Sequence, residues 1–146
     1  MSTFINIEDY SLVIEHEELL RICKGDLSKL EEFEEATMDE VAGAICKIYK
    51  VEETFAKTGN ERDKYLLKLI LKIIIYETCG SINPTQMTNV IMDNYEHAIS
   101  KLQKISDGKH ELTKAVRINE PDPNEPPISN EDVFFSSSEK RDNQFI

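Results

Sequence analysis

Tyr65-Leu-Leu-Lys-Leu-Ile-Leu-Lys-Ile-Ile-Ile-Tyr76 decides the fold of this chain. Across these positions only Lys68 and Lys72 interrupt the apolar residues, so a helix here has almost no polar face and must be covered from nearly every side. It is too short for a bilayer span, which takes about 20 apolar residues. Asn60 with Asp63 three residues later has the form of a capping box, and Gly80 ends the run, so the helix is expected over 60–80. Its apolar surface exceeds what the central helix of a small bundle uses. Leu69, Ile73 and Tyr76 are therefore expected at a contact with another subunit. Lys64, Lys68 and Lys72 recur at i, i+4 and i+8 on the same helix. That row reads either as a solvated stripe or as the partner of an acidic helix on a neighbouring copy.

Helices to cover this one lie on both sides of it. Upstream, residues 8–23 read as one or two short helices with Asn6 as a possible cap, and Gly25 stops them. Asp26 can cap a long amphipathic helix in which Leu27, Leu30, Thr37, Val41, Ile45, Ile48 and Phe55 recur at spacings of three, four or seven. Glu31, Glu32, Glu34, Glu35, Asp39 and Glu40 crowd its N-terminal half, where the helix dipole favours them. Of these, Glu31, Glu32, Glu35 and Asp39 are candidates for an acidic functional face. Downstream, Pro84 suits the first turn of a last helix, along which Met87, Ile91, Tyr95, Ala98, Leu102 and Ile105 form one stripe closed by Gly108. The expected fold is all-α, a small bundle of four to five helices.

After Gly108 the character changes. Residues 109–118 fit a short strand or the start of an extended arm, and four of the five prolines then fall between 121 and 127. Such a segment favours an extended polyproline-like conformation over a packed one. The expected organisation is a helical body over 1–108 and a long extended Pro-rich C-terminal arm over 109–146. Val133, Phe134, Phe135, Phe145 and Ile146 are its apolar anchors for a partner.

A chain of 146 residues is the size of one domain, and 28 acidic against 17 basic residues give a formal net charge of −11. That balance argues against free nucleic acid as primary ligand, because such binding rests on Lys and Arg neutralising phosphates. The opening residues lack the basic start and apolar run of a signal peptide, so no membrane association is expected. Cys23, Cys46 and Cys79 are odd in number and form no CxxC pair, and each is expected as a small buried residue within a helix.

Signatures of catalysis are missing: there is no P-loop, GxGxxG, GxSxG, HExxH or EF-hand loop. Glu96 and His97 are adjacent, and neighbours at i and i+1 diverge on a helix, so they cannot act as an acid–base pair there. No enzyme activity, cofactor or metal is expected.

Tyr95-Glu-His-Ala-Ile-Ser-Lys-Leu-Gln-Lys-Ile-Ser-Asp-Gly-Lys-His-Glu-Leu112 carries a resemblance. Its Tyr-x-x-Ala-x-x-x-Leu-x-x-Ile-x-x-Gly-Lys-x-x-Leu pattern resembles the last helix and its exit in the small head-tail connector proteins of tailed bacteriophages, the Mu-like head-completion and adaptor group. The order of parts over residues 5–112 is similar too. The resemblance implies a homo-oligomeric ring, typically of twelve copies, seated between the portal protein and the tail-side connector or terminator proteins in the phage neck. Such a ring is assembled in the host cytoplasm, ends in the virion and conducts DNA without reading its sequence. An acidic subunit suits that task by repelling phosphate. The other reading of the same residues is a soluble acidic helical interaction or regulatory module that binds a protein partner.

Overall fold

The computed structural model describes residues 4–118. It is all-α, with five α-helices joined by four 3-10 turns, and its one piece of β pairing among the described residues is an isolated antiparallel bridge between Tyr49 and Arg117. A 3-10 turn at Ile7–Leu12 leads to α1 (His16–Ile22), which ends where Lys24 and Gly25 take positive φ angles of 54° and 85°. α2 (Leu30–Ile45) and α3 (Val51–Ala56) follow, then α4 (Lys64–Ile82) and α5 (Asn89–Ser106). α4 is the centre, packed on α5, α2 and α1. Among the described residues no helix is long and apolar enough to cross a membrane.

The apolar run behaves as its composition requires, with one consequence that differs from expectation. Leu66, Leu67, Leu69, Ile70, Leu71, Ile73, Ile74 and Ile75 are all buried inside the protein itself. At about 1.5–3 kcal/mol for each side chain fully removed from water, this run is the largest block of favourable burial in the chain. Leu69 and Ile73 are 2% and 1% exposed, so they offer nothing to a second subunit. Tyr76 is half-buried and stacks on Tyr95 of its own chain, ring centroids 3.9 Å apart. Among the described residues the exposed large apolar side chains lie elsewhere: Ile7, Leu12, Val90, Met92, Ile99 and Ile118.

Helix boundaries shift where tertiary bonds compete with local ones. The single helix expected through Phe55 is two, because the chain turns at 46–50 and the Lys50 N–H donates to the Val116 carbonyl at 2.7 Å rather than four residues back. That turn leaves Cys46 exposed, whereas Cys23 and Cys79 are buried as expected. α4 starts at Lys64 rather than Asn60: Asp63 is its N-cap, accepting the Leu66 N–H at 2.9 Å, and Asn60 belongs to the 3-10 turn Gly59–Glu61. Pro84 likewise opens a 3-10 turn, Pro84–Gln86, and α5 begins beyond it with Thr88 as cap.

The stretch 109–118, grouped by composition with the arm, belongs to the body. Leu112 and Ala115 are buried, and the backbone is held at every few residues by groups distant in sequence. The Leu112 N–H donates to the Tyr49 hydroxyl (2.8 Å), the Lys114 N–H to the Asp63 carboxylate (3.0 Å) and the Val116 N–H to Thr54 Oγ1 (3.0 Å). The Ile118 N–H donates to the Ile48 carbonyl at 2.9 Å. This strap crosses the α2–α3 junction and the start of α4, bonded to the body along its length. His110 stacks on Tyr65 at 4.7 Å at its near end.

Candidate functional site

Two helices running antiparallel place their outer residues in adjacent rows. On α4, Lys64 and Lys68 are exposed and Lys72 is half-buried. On α5, Val90, Asn94, His97, Lys101 and Lys104 recur at spacings of three and four, which puts them on one flank of that helix. The two rows meet at His97, whose pKa is held below the ordinary histidine value by partial burial and then by the ammonium groups of Lys72, Lys101 and Lys104. Lys72 is lowered too, by burial first and then by the Lys68 charge. A protein of net charge −11 thus gathers Lys68, Lys72, Lys101 and Lys104 along one flank, with the exposed Asp93 one turn before His97 as an acid among them.

At one end of this face is a small dent of about 40 Å³ with mixed lining, between the turn after the first 3-10 segment, α4 and α5. Val13, Ile14, Ile75, Val90 and Ile91 form its apolar walls, Lys72 reaches its edge, and Glu18 is the one acid in its lining. Val90 stands 67% exposed there, an apolar side chain without cover beside a row of cations.

The acidic residues lie on a different surface. Glu31, Glu32, Glu35 and Asp39 are exposed on α2, as a solvated face. Glu34 turns inward and accepts the buried Tyr10 hydroxyl at 2.7 Å. Burial raises the Glu34 pKa, the Tyr10 bond opposes the rise, and Glu31 adds to it. α2 packs against the other flank of α5, where Glu40 and Ala44 neighbour Ile99, Leu102 and Gln103. The α2 acids and the α4–α5 lysines therefore lie on different flanks, with Glu18 and Asp93 as acids beside the lysines.

Lys64 and Lys68 are exposed and Lys72 is half-buried along the outer side of α4, while Leu69 and Ile73 are buried and Tyr76 is half-buried against Tyr95. The arm residues Val133, Phe134, Phe135, Phe145 and Ile146 lie outside the described residues. His97, Lys101 and Lys104 were not legible as part of the lysine row, although the short 83–88 connection, which forces α5 to run back along α4, is the signal that joins them. Among the described residues no three His, Cys, Asp or Glu side chains converge as a metal site. The polar clusters that are buried, Arg62 with Asp9 and Asp63 with the strap, are consumed by structural bonds. Comparison with protein-family models, with curated proteins and with solved structures gives no match.

Proposed function

We propose that the protein is a structural head-tail adaptor of a tailed bacteriophage, a ring subunit that joins the portal to tail-side proteins and forms part of the DNA channel. The observation that carries this reading is the placement of the α2 acids and the α4–α5 lysines on different flanks. A protomer with cations on the α4–α5 flank and acids on α2 is complementary to a copy of itself in head-to-tail order. Contacts of that kind close into rings when the rotation per subunit allows, and the twelvefold ring of the resembling group is the expected product. Lys64, Lys68 and Lys72 are then the interface cations and Glu31, Glu32, Glu35 and Asp39 supply acids, to the neighbour or to the channel wall. Acidic residues left facing the channel repel DNA phosphate, which lets the genome pass without binding.

The resemblance over 95–112 agrees with the packing. Ala98, Leu102, Ile105 and Leu112 are buried core positions, and Gly108 sits at φ 78°, where a left-handed turn ends α5 and starts the strap. The portal, the tail-side proteins and the virion setting come from that resemblance.

Native mass spectrometry of the protein alone and mixed with the portal protein encoded near it tests the reading. A closed ring near twelve copies, or a portal complex of matched stoichiometry, supports it. A monomer that ignores the portal overturns it in favour of the acidic helical interaction module.

A further inference from the structure

We propose that Glu131-Asp132-Val133-Phe134-Phe135, from the chain's own C-terminal segment, docks in cis on the α4–α5 flank formed by Lys68, Lys72, Val90, His97, Lys101 and Lys104. The docking does not require the ring; its consequence for assembly rests on that reading.

Three observations select this occupant. The first is composition: over residues 119–135 the chain has five carboxylates and no Lys or Arg, and the last two carboxylates directly precede Val-Phe-Phe. An acidic pair followed by apolar residues mirrors the flank, where Lys72 reaches the edge of the dent and Val90 stands uncovered beside it. The dent is too small to enclose a ring, so an aromatic side chain lies across it and over Val90, removing apolar area from both. A carboxylate row such as α2 of another copy matches the cations, but its one aromatic residue, Phe33, packs against that copy's own core.

The second is reach. The strap delivers the chain to Ile118, bonded beside Ile48, and the twelve residues 119–130 extend to at most about 40 Å. A body of this size has a radius of gyration of about 13 Å, so the tether spans to a face of its own protomer. The third is concentration. A short tether presents the segment to its own body at an effective concentration on the order of millimolar, far above that of another copy in dilute solution. Weak charge and apolar contacts are then enough to keep the flank covered. Under the ring reading this is the same face that a neighbour's α2 takes, so assembly proceeds by displacement of the segment.

The test uses the full chain. An equal mixture of ¹⁴N- and ¹⁵N-labelled protein is treated with a carbodiimide, which joins carboxylates to amines in direct contact, and the links are mapped by mass spectrometry. The expected links run from Glu131 or Asp132 to Lys68, Lys72, Lys101 or Lys104 within one isotope. They fall about fivefold or more at roughly 0.5 M salt, where exposed charges are screened, and likewise in the Phe134→Ala/Phe135→Ala variant. Links spread evenly over Lys24, Lys29, Lys47 and Lys50 overturn the site, and mixed-isotope links overturn docking in cis. NMR titration of His97 is a second readout: carboxylates docked beside it support its cationic form, so Glu131→Lys/Asp132→Lys lowers its pKa by roughly half a unit, and an unchanged value overturns the proposal. The light-scattering mass of the same sample separates the two readings, since a monomer with intrachain links retains the docking and loses the ring.

Discussion

The carboxylate of Asp63 accepts the Lys114 N–H at 3.0 Å, across 51 residues of sequence, while its other oxygen accepts the Leu66 N–H at 2.9 Å. One buried side chain therefore caps the central helix and anchors the C-terminal strap. Replacing Asp63 with Ala removes a cap, about 0.5–2 kcal/mol, and leaves a partly buried N–H without a partner, about 1–3 kcal/mol more. Asp63→Asn keeps one acceptor oxygen and loses roughly half as much. Urea denaturation gives the sum, and faster amide exchange at Lys114 and Val116 in the Ala variant shows that the strap has come loose.

Truncation distinguishes the strap from the residues beyond it. Deleting residues 119–146 removes none of the strap bonds described above, so the helical body stays folded by circular dichroism, and with residues 131–135 no longer competing for the α4–α5 flank assembly strengthens. Deleting residues 109–146 removes the strap partners of Tyr49, Thr54 and Asp63 and uncovers the core under Leu112 and Ala115. That variant loses several kcal/mol of stability, seen as a fall in Tm.

Arg62 clamps the N-terminal segment with two bonds to Asp9, at 2.6 and 3.1 Å, and one to the Phe4 carbonyl at 2.7 Å. Burial by itself raises the Asp9 pKa, and the Arg62 guanidinium and the Asn6 N–H outweigh it, leaving the carboxyl below its ordinary value of 3.8. A carboxyl lowered on folding contributes stability that is complete above its ordinary pKa and is lost as the pH falls through the folded value. The acid limb of a stability–pH curve is therefore steeper in the native protein than in Arg62→Met. At neutral pH Arg62→Ala costs on the order of 1–3 kcal/mol, because the partly buried Asp9 carboxylate and the Phe4 carbonyl lose their charged donor.

Ile73 and Lys68 sit on one helix with opposite roles. Ile73→Ala opens a core cavity and costs about 2–5 kcal/mol without changing the mass of whatever assembly forms below its Tm. Lys68→Glu, on the exposed basic flank, changes stability by less than about 0.5 kcal/mol and weakens self-association. Light scattering beside thermal denaturation checks both halves.

Thiol chemistry reads the break between α2 and α3. Cys46 lies exposed at that turn, while burial covers Cys23 and Cys79 and pushes both thiols up. One thiol per chain reacts promptly with a disulfide reagent under native conditions, and the other two react only on unfolding.

Periodicity and composition were sufficient for the class of fold and the centrality of 65–76, but not for the break between α2 and α3. A dozen positions with two polar residues have one stable solution in water, which is to be surrounded. The same information made the lysine spacing and the acidic run visible, since both are local to one helix. It misplaced Leu69 and Ile73 because an apolar residue looks alike whether its cover is a neighbouring helix or another subunit. Only packing assigned the cover to α1, α2 and α5.

The strap and the basic face were decided by tertiary structure alone. Tyr49, Thr54 and Asp63 carry no pattern that marks them as partners of Leu112, Val116 and Lys114, since each bond joins groups more than 50 residues apart. His97, Lys101 and Lys104 join the α4 lysines because α5 folds back along α4, a relation between helices rather than along one. Sequence spacing reports what a helix presents on its own surface. Which surfaces meet, and which buried polar groups find partners, depends on long-range packing, where the free-energy penalty of leaving a buried N–H or carboxylate unpaired selects one arrangement.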